Sequence, residues 1–389
     1  MSTSQHRTRR AEPISKRVHA DGTTVYEFRV DVGTRADGTR DRRRHTFPTL
    51  RAARAEYRRI TTEVAAGTHI APSRTTVAEA CDAWLAGKRD VRDVTRRGYE
   101  YALVHAVRHL GGLHLQAVTK AHLDELVTHM LSGGSRRGTP LSVRQVQFTV
   151  RTLRAVFEDA RRQGQIARNV VELVEMPRAT PHTMQTWTRQ ETARFRQHIT
   201  DERLAACWLL TLSGFRRSEV LGLNWSTVDF EHGTVAVVAS RVPVGSGKDT
   251  QTGAPKSARG RRVLTVHPSV LAALRALRAT QAAEKLALGT CYPDSGLVAV
   301  HEDGRPIRPE WYSDEFRRLC ESAGVRPIRL HDVRHTSVTL QLDAGHPIAA
   351  VAAWHGHSAE EMLRTYAHAV QESLTSAGAT LFEDSPDAV

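Results

Sequence analysis

LHDVRHTSVTLQLDAG, residues 330–345, and WHGHSAEEMLRTYAH, residues 354–368, decide how this chain of 389 residues is interpreted. Within thirty-six residues they supply two histidines, an arginine and a tyrosine: His331, Arg334, His357 and Tyr366. Cationic and hydrogen-bonding side chains suit a phosphate, and a phenol suits attack on it. The C-terminal third of the sequence therefore predicts a phosphoryl-transfer site.

Two earlier stretches add further cations. LTLSGFRRSEVLGLNW, residues 210–225, contributes Arg216, and APKSARGRRVLTV, residues 254–266, contributes Lys256. Breaking a phosphodiester without a metal needs positive charge for the phosphate oxygens, a nucleophile in line, and a proton for the departing alkoxide. The combined residue types cover these three tasks.

Together the four stretches resemble the tyrosine recombinases, specifically the phage-type integrases. The family pattern is an arginine followed two and three residues later by Ser or Gly and by Glu, then a hairpin lysine, H-x-x-R, G-H-S, and a tyrosine nine residues after the last histidine. All five pieces occur here in order and in register. The resemblance runs from about Val18 to about Phe382 and is strongest from Trp187 onward.

The resemblance assigns Arg216 and Arg334 to the phosphate. A guanidinium group stays protonated and can bind two phosphate oxygens through its planar fork, which a lysine cannot do. Arg216 follows Gly214 at a predicted helix entrance, where main-chain N–H groups also favour anions. Arg217 fills a variable family position, and Glu219 is expected to orient an arginine.

Tyr366 is the predicted nucleophile. A phenol has a pKa of about 10, so it must lose its proton as it attacks. The resulting 3′-phosphotyrosine keeps the energy of the broken backbone bond, so a 5′-hydroxyl can reseal the strand without ATP. The resemblance implies Lys256 as the general acid for the 5′-oxygen, with Lys248 in the same loop as its rival. It implies neither a metal nor any other cofactor.

Two histidines complete the predicted site. A histidine can donate to a phosphate oxygen or accept a proton near neutral pH. The resemblance assigns proton handling to His331 and hydrogen bonding of the phosphate to His357. Ser358 opens a capping box before the helix that carries Tyr366. His355 departs from the family pattern, in which an apolar residue usually precedes Gly-His.

A metal site is the competing interpretation of the same histidines. His331 and His335 have the H-x-x-x-H spacing of a zinc helix, and His355 and His357 are conceivable further ligands. Against this, Arg334 inside the motif would repel a dication, and the glutamate of zinc peptidases is missing. A zinc site also leaves the other cations unexplained, so the recombinase interpretation is favoured.

The charge of the chain points to a polyanionic partner. The chain has 55 Lys and Arg against 42 Asp and Glu, a formal net charge of +13. Residues 1–60 carry fifteen of these basic residues against seven acidic ones, and after Arg364 the charged residues are all acidic. Nucleic acid is the partner that fits this distribution, although biased codon usage is another source of arginine.

Cysteine usage and hydropathy favour a soluble, cytoplasmic protein without a membrane partner. The cysteines are far apart, form no C-x-x-C pair, and are expected to be reduced and mostly buried: Cys81, Cys207, Cys291 and Cys320. No apolar stretch approaches the roughly 18 residues needed to span a bilayer. The opening MSTSQHRTRR lacks an apolar signal core.

Residues 1–70 contain the pattern of a small β-sheet followed by a helix, which resembles the arm-type DNA-binding domain of many integrases. Alternation between Tyr26 and Val32 is typical of a strand, and Asp21-Gly22 and Asp37-Gly38 are typical of hairpin turns. The apolar residues from Leu50 to Val64 follow helical spacing. Candidate DNA contacts lie on or beside the last strand: Arg40, Arg42, Arg43, Arg44 and His45. The alternative is a solvated charged edge strand.

Residues 75–176 resemble the helical, SAM-like core-binding domain of the family, which grips one side of a duplex. Capping-box signals begin at Thr76 and Ser142, and residues 133–138 predict a flexible basic loop. The helix after Ser142 carries its apolar residues on one face: Val146, Val150, Leu153 and Phe157. Candidate phosphate contacts are Arg96, Arg97, Arg136, Arg137, Arg144 and Arg151.

Residues 185–389 are predicted to be the catalytic domain with a C-terminal tail, after a linker at 177–186. A capping box at Thr188 and strands at Thr234–Val238 and Arg261–Val266, set between helices, predict an α-rich α+β domain. The predicted fold class is thus multidomain: a small N-terminal β-sheet plus helix, an all-α core-binding domain, and an α-rich α+β catalytic domain of the tyrosine recombinase type.

The predicted function is site-specific integration and excision of a phage or mobile element. The resemblance implies double-stranded DNA attachment sites and a homotetramer on DNA, with an excision factor and a host DNA-bending protein as further candidate partners. Residues 367–382 would dock on a neighbouring protomer or else be disordered. Two alternatives are DNA relaxation of the type IB topoisomerase kind and a degenerate copy that only binds DNA. The complete set of catalytic residue types argues against decay.

Overall fold

The computed structural model describes residues 13–34, 38–66, 69–180, 184–244, 249–253, 258–364 and 366. The chain divides into two compact units, Met1–Thr180 and Pro181–Val389. The predicted boundary between an arm-type and a core-binding domain falls inside the first unit, so the three-domain division stays a prediction. The buried apolar residues of that unit form two separate clusters, one on each side of this boundary.

The first unit opens with an antiparallel sheet covered by a helix. The sheet has the order β1-β2-β3, and its elements are β1 (Ile14–Val18), β2 (Thr24–Thr34), β3 (Arg40–Phe47) and the following α1 (Leu50–Ala65). Apolar side chains that alternate along β2 meet those that recur along α1: Phe28, Val30, Ala53 and Ile60. The predicted strand, helix and turn at Gly22 are confirmed. Asp37 of the second turn signal lies outside the described residues.

The described part of the first unit continues with four α-helices and with 3-10 turns at Leu115–Ala117 and Val170–Leu173. The α-helices are α2 (Val77–Ala86), α3 (Asp93–Leu110), α4 (Lys120–Gly133) and α5 (Val143–Arg162). The capping boxes predicted at Thr76 and Ser142 are present. The predicted apolar face of α5 is buried along its whole length. The segment predicted as a flexible loop begins inside α4, and Ser135 Oγ accepts hydrogen bonds from the main-chain N–H groups of Arg137 and Thr139.

The second unit combines helices with two small groups of strands. Its helices are α6 (Arg189–His198), α7 (Ala205–Leu212), α8 (Arg217–Leu221), α9 (Pro268–Leu288), α10 (Pro309–Ser322), α11 (Leu330–Asp343) and α12 (Ile348–His355). Its strands are β4 (Val228–Asp229), β5 (Thr234–Val237), β6 (Ser240–Val244), β7 (Asp249–Gly253) and β8 (Arg262–Thr265). Strands β4-β5-β8 form one antiparallel sheet, and β6-β7 form a separate hairpin. The two predicted strands correspond to β5 and β8.

Aromatic packing fixes the helices that carry the later site residues. Trp208 of α7 stacks on Tyr312 of α10 with ring centroids 4.1 Å apart. The Tyr312 hydroxyl lies 2.8 Å from Thr211 Oγ1. At the start of the unit, Trp187 donates its main-chain N–H to Thr336 Oγ1 on α11 at 3.0 Å. The buried interior therefore holds α7, α10 and α11 in one arrangement.

Two further predictions concern the burial of the cysteines and the hydropathy of the helices. Cys81, Cys207 and Cys320 are buried and Cys291 is exposed, which agrees with mostly buried thiols. Burial raises the pKa of each buried thiol to about 12, so these cysteines stay protonated. Among the described helices, none combines the length and the apolar character that a membrane span requires.

Candidate active site

A cleft of about 800 Å³ lies in the second unit, beside the starts of α8 and α11. Three of the predicted catalytic side chains line it: Arg216, His331 and Arg334. Further guanidinium groups extend the positive charge along its wall: Arg217, Arg317 and Arg329. The cleft is also lined by Asp332, which pairs with Arg329 at 2.8 Å. The arginines outnumber this carboxylate, and an excess of positive charge concentrates anions, so the cleft suits an anion.

Arg216 is presented by a sharp break between α7 and α8. Gly214 within this break has a φ of +89°, which lies in the left-handed region that favours glycine. The Arg216 side chain is 34% exposed. Its main-chain N–H, which we expected to be available to an anion, instead donates to Glu219 Oε2 at 2.9 Å. Anion binding at this break therefore depends on the guanidinium group.

Glu219 is buried between two arginines. Its Oε1 accepts from Arg216 Nη1 at 2.7 Å, which fits the orienting role expected for this carboxylate. Its two oxygens also accept from Arg262 at 3.1 and 2.9 Å. Sequence reasoning missed Arg262, which donates from Nε to the Trp354 carbonyl at 2.7 Å as well. Arg262 thereby ties β8 to both α8 and the end of α12.

Replacing Glu219 with glutamine should destabilise the fold. It should also make the free energy of unfolding less sensitive to low pH. Burial alone would raise the pKa of the Glu219 carboxyl, but the hydrogen bonds and charge of Arg262 outweigh burial and lower it. A carboxyl with a lowered pKa stabilises the fold above its unfolded pKa of about 4.3 and loses that contribution as the pH falls through the folded value. We expect a loss of about 3 kcal/mol at pH 7.

Urea unfolding at pH 7 and at pH 4 measures this effect. The free-energy difference between wild type and Glu219→Gln should shrink at the lower pH. Glu315→Gln, which removes a partly exposed pair with Arg318, is the matched control and should cost under about 1 kcal/mol. Equal costs for the two variants at pH 7 would contradict the role of the buried carboxylate.

Arg334 of α11 is almost fully buried and joins two other segments. Its Nη1 donates to the Gly214 carbonyl at 2.6 Å, and its Nη2 donates to the His355 carbonyl. These bonds use two of five N–H donors, and Nε has no hydrogen-bond partner among the described residues. Burial and the charge of Arg216 lower the pKa of Arg334, a cost that a bound anion would offset.

His355 occupies the position at which the family pattern has an apolar residue. Its ring is fully buried and packs so tightly on Gly214 that a Cβ added there would lie 2.2 Å from Cε1. Burial, with the charge of Arg334, lowers the pKa of His355 to about 2, so the ring is neutral at physiological pH. His355 therefore packs as a neutral side chain against the loop that presents Arg216.

His357 follows Gly356, the residue that caps the end of α12. Gly356 ends that helix with a φ of +63°, and a Cβ added there would lie 2.8 Å from the Arg259 carbonyl. Burial and the charges of Arg334 and Arg216 lower the pKa of His357 to about 4. Its Nδ1 is buried and has no hydrogen-bond partner among the described residues. A neutral imidazole with unused bonding capacity therefore lies within the field of both arginines.

Residues 359–364 have helical backbone, and so does Tyr366. Ser358 Oγ accepts from the Glu361 main-chain N–H at 3.0 Å, which confirms the predicted N-cap. The tyrosine is 2% exposed and packs against a small apolar cluster: Val338, Val351, Ala352 and Met362. Its hydroxyl lies within hydrogen-bond distance of His335 Nδ1, and the tautomer of that ring decides which of the two donates. Burial raises the pKa of Tyr366, and the charge of Arg334 acts in the opposite direction.

Five of the six predicted catalytic side chains lie close together. Besides burial, the charges of Arg334 and Arg216 lower the pKa of His331 and of His357, and the charge of Arg334 also acts on Tyr366. The sixth, Lys256, and its rival Lys248 lie outside the described residues. Neither His357 nor Tyr366 is among the described residues that line the cleft. The described chain contains no group of three or more side chains placed to bind one metal ion.

His331 lies at the cleft, whereas His335 lies at Tyr366. His331 lines the cleft, and partial desolvation with the charges of Arg334 and Arg216 lowers its pKa. His335 lies one helical turn further along α11, with its ring centroid 5.0 Å from that of His331, and contacts Tyr366. Sequence reasoning considered His335 only as a zinc ligand, although the spacing of four places both rings on one helix face.

Comparison with known proteins relates this geometry to one family. The sequence model of the phage integrase family matches residues 186–373. An integrase of Saccharopolyspora erythraea is 23% identical over 330 residues, which cover 71% of this chain and 74% of that protein. An XerC-like tyrosine recombinase of Caldanaerobacter subterraneus subsp. tengcongensis is 27% identical over 248 residues, which cover 59% and 63%.

The fold matches that of the Tn1549 transposon integrase in complex with transposon right end DNA. The TM-score is 0.65 at 21% identity, and the alignment covers 79% of this chain and 100% of that chain. The match to the phage integrase family lies within the second unit. Together with the integrase and tyrosine recombinase relatives, it supports a site-specific recombinase that cleaves and rejoins DNA strands. The predicted family and reaction class are thereby confirmed.

Proposed function

We propose that the protein is the integrase of a phage or other mobile element, and that Tyr366 forms a 3′-phosphotyrosine bond with the cleaved strand. The observation that carries this proposal is that Arg216 and Arg334 line one cleft while Tyr366 is buried within the field of Arg334. Two guanidinium groups that retain unused donors can bind the non-bridging oxygens of a phosphodiester. Their charge would stabilise the transition state more than the ground state.

The proposed reaction divides the work among the remaining side chains. The Tyr366 oxygen attacks the phosphorus, and the bond to the 5′-oxygen breaks. Lys256, with Lys248 as its rival, protonates that oxygen. The buried Nδ1 of His357 suits a hydrogen bond near the phosphate, because it has no partner among the described residues. Resealing reverses these steps and needs no nucleotide cofactor.

The burial of Tyr366 implies a conformational step before cleavage. A hydroxyl in a side chain that is 2% exposed cannot reach a duplex without movement. Residues 357–364, which include His357, and Tyr366 follow the left-handed Gly356. We propose that DNA binding shifts this segment toward the cleft, with residues 367–382, outside the described residues, docking on a neighbouring protomer of a homotetramer.

A nicked duplex that carries the attachment site tests the reaction directly. Loss of the short strand beside the nick prevents resealing, so a covalent protein–DNA complex accumulates. We expect trapping that persists in EDTA, because the proposed chemistry uses no metal. A protein that only binds DNA would trap nothing, and trapping abolished by EDTA would revive the zinc interpretation. Relaxation of plasmids that lack any attachment site would favour the topoisomerase-like alternative.

The N-terminal sheet presents a basic face suited to DNA. Along β3, Arg40, Arg42 and Arg44 are exposed, and Arg29 lies opposite Arg44 on β2. Their ion pairs with acidic residues of β2 are exposed and therefore weak. We propose that this face binds arm-type DNA sites, and we add Arg29, which sequence reasoning missed.

Two predicted contacts lie on the other face of the sheet. Arg43 Nε donates to Asp41 Oδ2 at 3.1 Å, and the His45 ring stacks on Phe28 with centroids 5.1 Å apart. Successive side chains of a strand point to opposite faces, so Arg43 and His45 share the face of the buried Phe28. We therefore remove Arg43 and His45 from the proposed contacts of the exposed face.

The double substitution Arg42→Ala with Arg44→Ala should weaken arm-site binding and flatten its dependence on salt. Each lost phosphate contact should reduce the slope of log K against log salt by about 1. Fluorescence anisotropy at salt concentrations from about 50 to about 300 mM measures both the affinity for the arm site and the salt slope. Arg43→Ala is the matched control and should leave the slope unchanged; an equal effect of Arg43→Ala would contradict the assignment of faces.

We also propose that exposed arginines of the core-binding domain contact DNA. The candidate arginines of α3, α5 and the turn after α4 are all exposed: Arg96, Arg97, Arg136, Arg137, Arg144 and Arg151. Exposed guanidinium groups on neighbouring helices can track a phosphate backbone. We propose double-stranded attachment sites as the ligand, with an excision factor and a host DNA-bending protein as further partners during integration and excision.

A further inference from the structure

The buried carboxylate of Glu219 is shared unequally by two arginines. Arg262 donates to both of its oxygens, from Nη1 to Oε1 at 3.1 Å and from Nη2 to Oε2 at 2.9 Å. Among the described residues, the Arg216 side chain donates to it once, from Nη1 to Oε1 at 2.7 Å. The Arg262 side chain is 8% exposed, whereas that of Arg216 is 34% exposed and lines the cleft. The buried arginine therefore takes the larger share of the carboxylate.

We propose that Arg262 is a positioning residue for strand cleavage, which occupies Glu219 so that the Arg216 guanidinium group stays available to the scissile phosphate. This inference rests on the proposed role of Arg216 at that phosphate. A guanidinium group has five N–H donors, and a single bond to Glu219 leaves most of them for phosphate oxygens. Arg262 is buried and is not among the described residues that line the cleft, so it acts through Glu219.

Arg262 is held in place by contacts other than those with Glu219. Its Nε donates to the Trp354 carbonyl at 2.7 Å, and its Nη1 also donates to the Gly260 carbonyl at 3.1 Å. Its guanidinium carbon lies 5.7 Å from the centroid of the Phe215 ring. Because these contacts fix the guanidinium group, the two oxygens of Glu219 take the positions that Arg262 gives them.

Without Arg262, Glu219 would depend on Arg216 for its ion pair among the described residues. Both carboxylate oxygens already lie within reach of Arg216, because its main-chain N–H donates to Oε2 at 2.9 Å while its Nη1 donates to Oε1. A buried carboxylate that loses a partner is costly, and two parallel hydrogen bonds are the strongest pairing that an arginine offers it. The Arg216 fork would therefore turn toward Glu219, and fewer of its donors would face the cleft.

The electrostatics of Glu219 follow the same division. Burial raises the pKa of its carboxyl group, and the influences that lower this pKa begin with the hydrogen bond and the charge of Arg262. The main-chain N–H and the charge of Arg216 have smaller effects. Glu219 is therefore kept ionised chiefly by Arg262, and the positive charge of Arg216 remains for a phosphate.

The contacts of Arg262 do not involve the nucleophile. The hydrogen-bond acceptors Glu219, Gly260 and Trp354 all precede residue 357, whereas the proposed shift before cleavage concerns the residues that follow Gly356. The donor in each of these bonds is fixed, since a guanidinium group has no acceptor. The arrangement can thus hold Arg216 in the same position before and during the reaction.

Arg262→Met removes the donors and keeps an unbranched side chain. We expect it to slow single-turnover cleavage of the nicked duplex at least about 30-fold, measured on protein whose melting curve shows that it is folded. Adding Glu219→Gln should recover at least about tenfold of this loss, because a neutral amide no longer draws the Arg216 fork. Arg262→Lys keeps a charge beside Glu219 but not the fork, so it should lose about five- to tenfold.

A neutral substrate separates positioning from a loss of fold. Replacing one non-bridging oxygen of the scissile phosphate with a methyl group removes its negative charge, so the reaction depends less on Arg216. The ratio of the wild-type rate to the Arg262→Met rate should be at least about threefold smaller on this substrate. Arg203→Met is the matched control, because it breaks a pair with Glu284 outside the residues that line the cleft. It should lower the melting temperature and give the same rate ratio on both substrates.

Three outcomes would overturn the inference. Cleavage by a folded Arg262→Met at the wild-type rate would show that Arg216 is positioned without it. An equal loss on the charged and the neutral substrate would make Arg262 a purely structural residue. Cleavage by the double variant no faster than by Arg262→Met alone would exclude the diversion of Arg216 by Glu219.

A second variant and a separate result complete the test. If Arg262→Met does not fold, Arg262→Lys is compared with and without Glu219→Gln on both substrates, and the same three outcomes apply. Cleavage by Arg216→Lys at the wild-type rate would instead overturn the proposed function of Arg216 at the phosphate.

Discussion

Tyr366→Phe is expected to abolish covalent trapping on the nicked duplex, with a fall in cleavage rate of at least about 10⁴-fold. The substitution removes only the oxygen that is proposed to join the DNA strand. Phenylalanine fills the same apolar cluster of Val338, Val351 and Met362. The loss of one hydrogen bond to His335 should lower stability by about 1 kcal/mol, too little to unfold the protein.

DNA binding separates this loss of chemistry from a loss of fold. Affinity for the attachment site should stay within about twofold of wild type, a difference of well under 1 kcal/mol. Tyr292→Phe, at another buried tyrosine of the same unit, is the matched control and should trap DNA normally. Trapping by Tyr366→Phe at the wild-type level would show that another residue is the nucleophile.

Arg216→Lys has the second largest expected effect, a fall of about 10²- to 10³-fold in the single-turnover cleavage rate. Lysine keeps the positive charge but lacks the planar guanidinium fork. The fork of Arg216 can bind phosphate oxygens while it also donates to Glu219. Stability should change little, because Arg262 continues to neutralise the buried Glu219. The loss should therefore appear in the rate and not in the melting temperature.

Arg217→Lys distinguishes between the two adjacent arginines. Arg217 donates to the Pro309 carbonyl at 3.1 Å and to Ser313 Oγ, which ties α8 to α10. Its replacement should lower stability more than Arg216→Lys does, and should slow cleavage less. The reverse order of effects on the cleavage rate would move the phosphate role from Arg216 to Arg217.

The catalytic residue types were predictable because their spacing along the chain follows from local structure. Thr76, Ser142, Thr188 and Ser358 each precede a helix and act as its N-cap, as predicted from neighbours three residues away. Strands β5 and β8 could be recognised from their apolar content. Such features depend on a few consecutive residues, and the sequence contains that information directly.

The partners within the site were not predictable in the same way. Arg262 reaches Glu219 from 43 positions away, and Arg334 reaches the Gly214 carbonyl from 120 positions away. Nothing in the spacing distinguishes Arg262 from Arg261 or Arg259, since only the fold decides which of them turns inward. By contrast, the opposite orientation of Arg43 could have been inferred from strand alternation alone.

His335 illustrates a different limit. His331 and His335 occupy the same face of α11, so helical periodicity cannot say which of them meets the tyrosine. The choice depends on where residues 357–364 and 366 pack, which is set by the tight contact of Gly356 with the Arg259 carbonyl and by Arg334 holding the His355 carbonyl. These contacts join segments that are distant in sequence.

Mass spectrometry of the trapped covalent complex tests the central claim most directly. Digestion of the complex with protease and nuclease should leave a nucleotide attached through a 3′-phosphate to the peptide that contains Tyr366, and to its phenolic oxygen. Recovery of the nucleotide on any other side chain, or attached through a 5′-phosphate, would contradict the account.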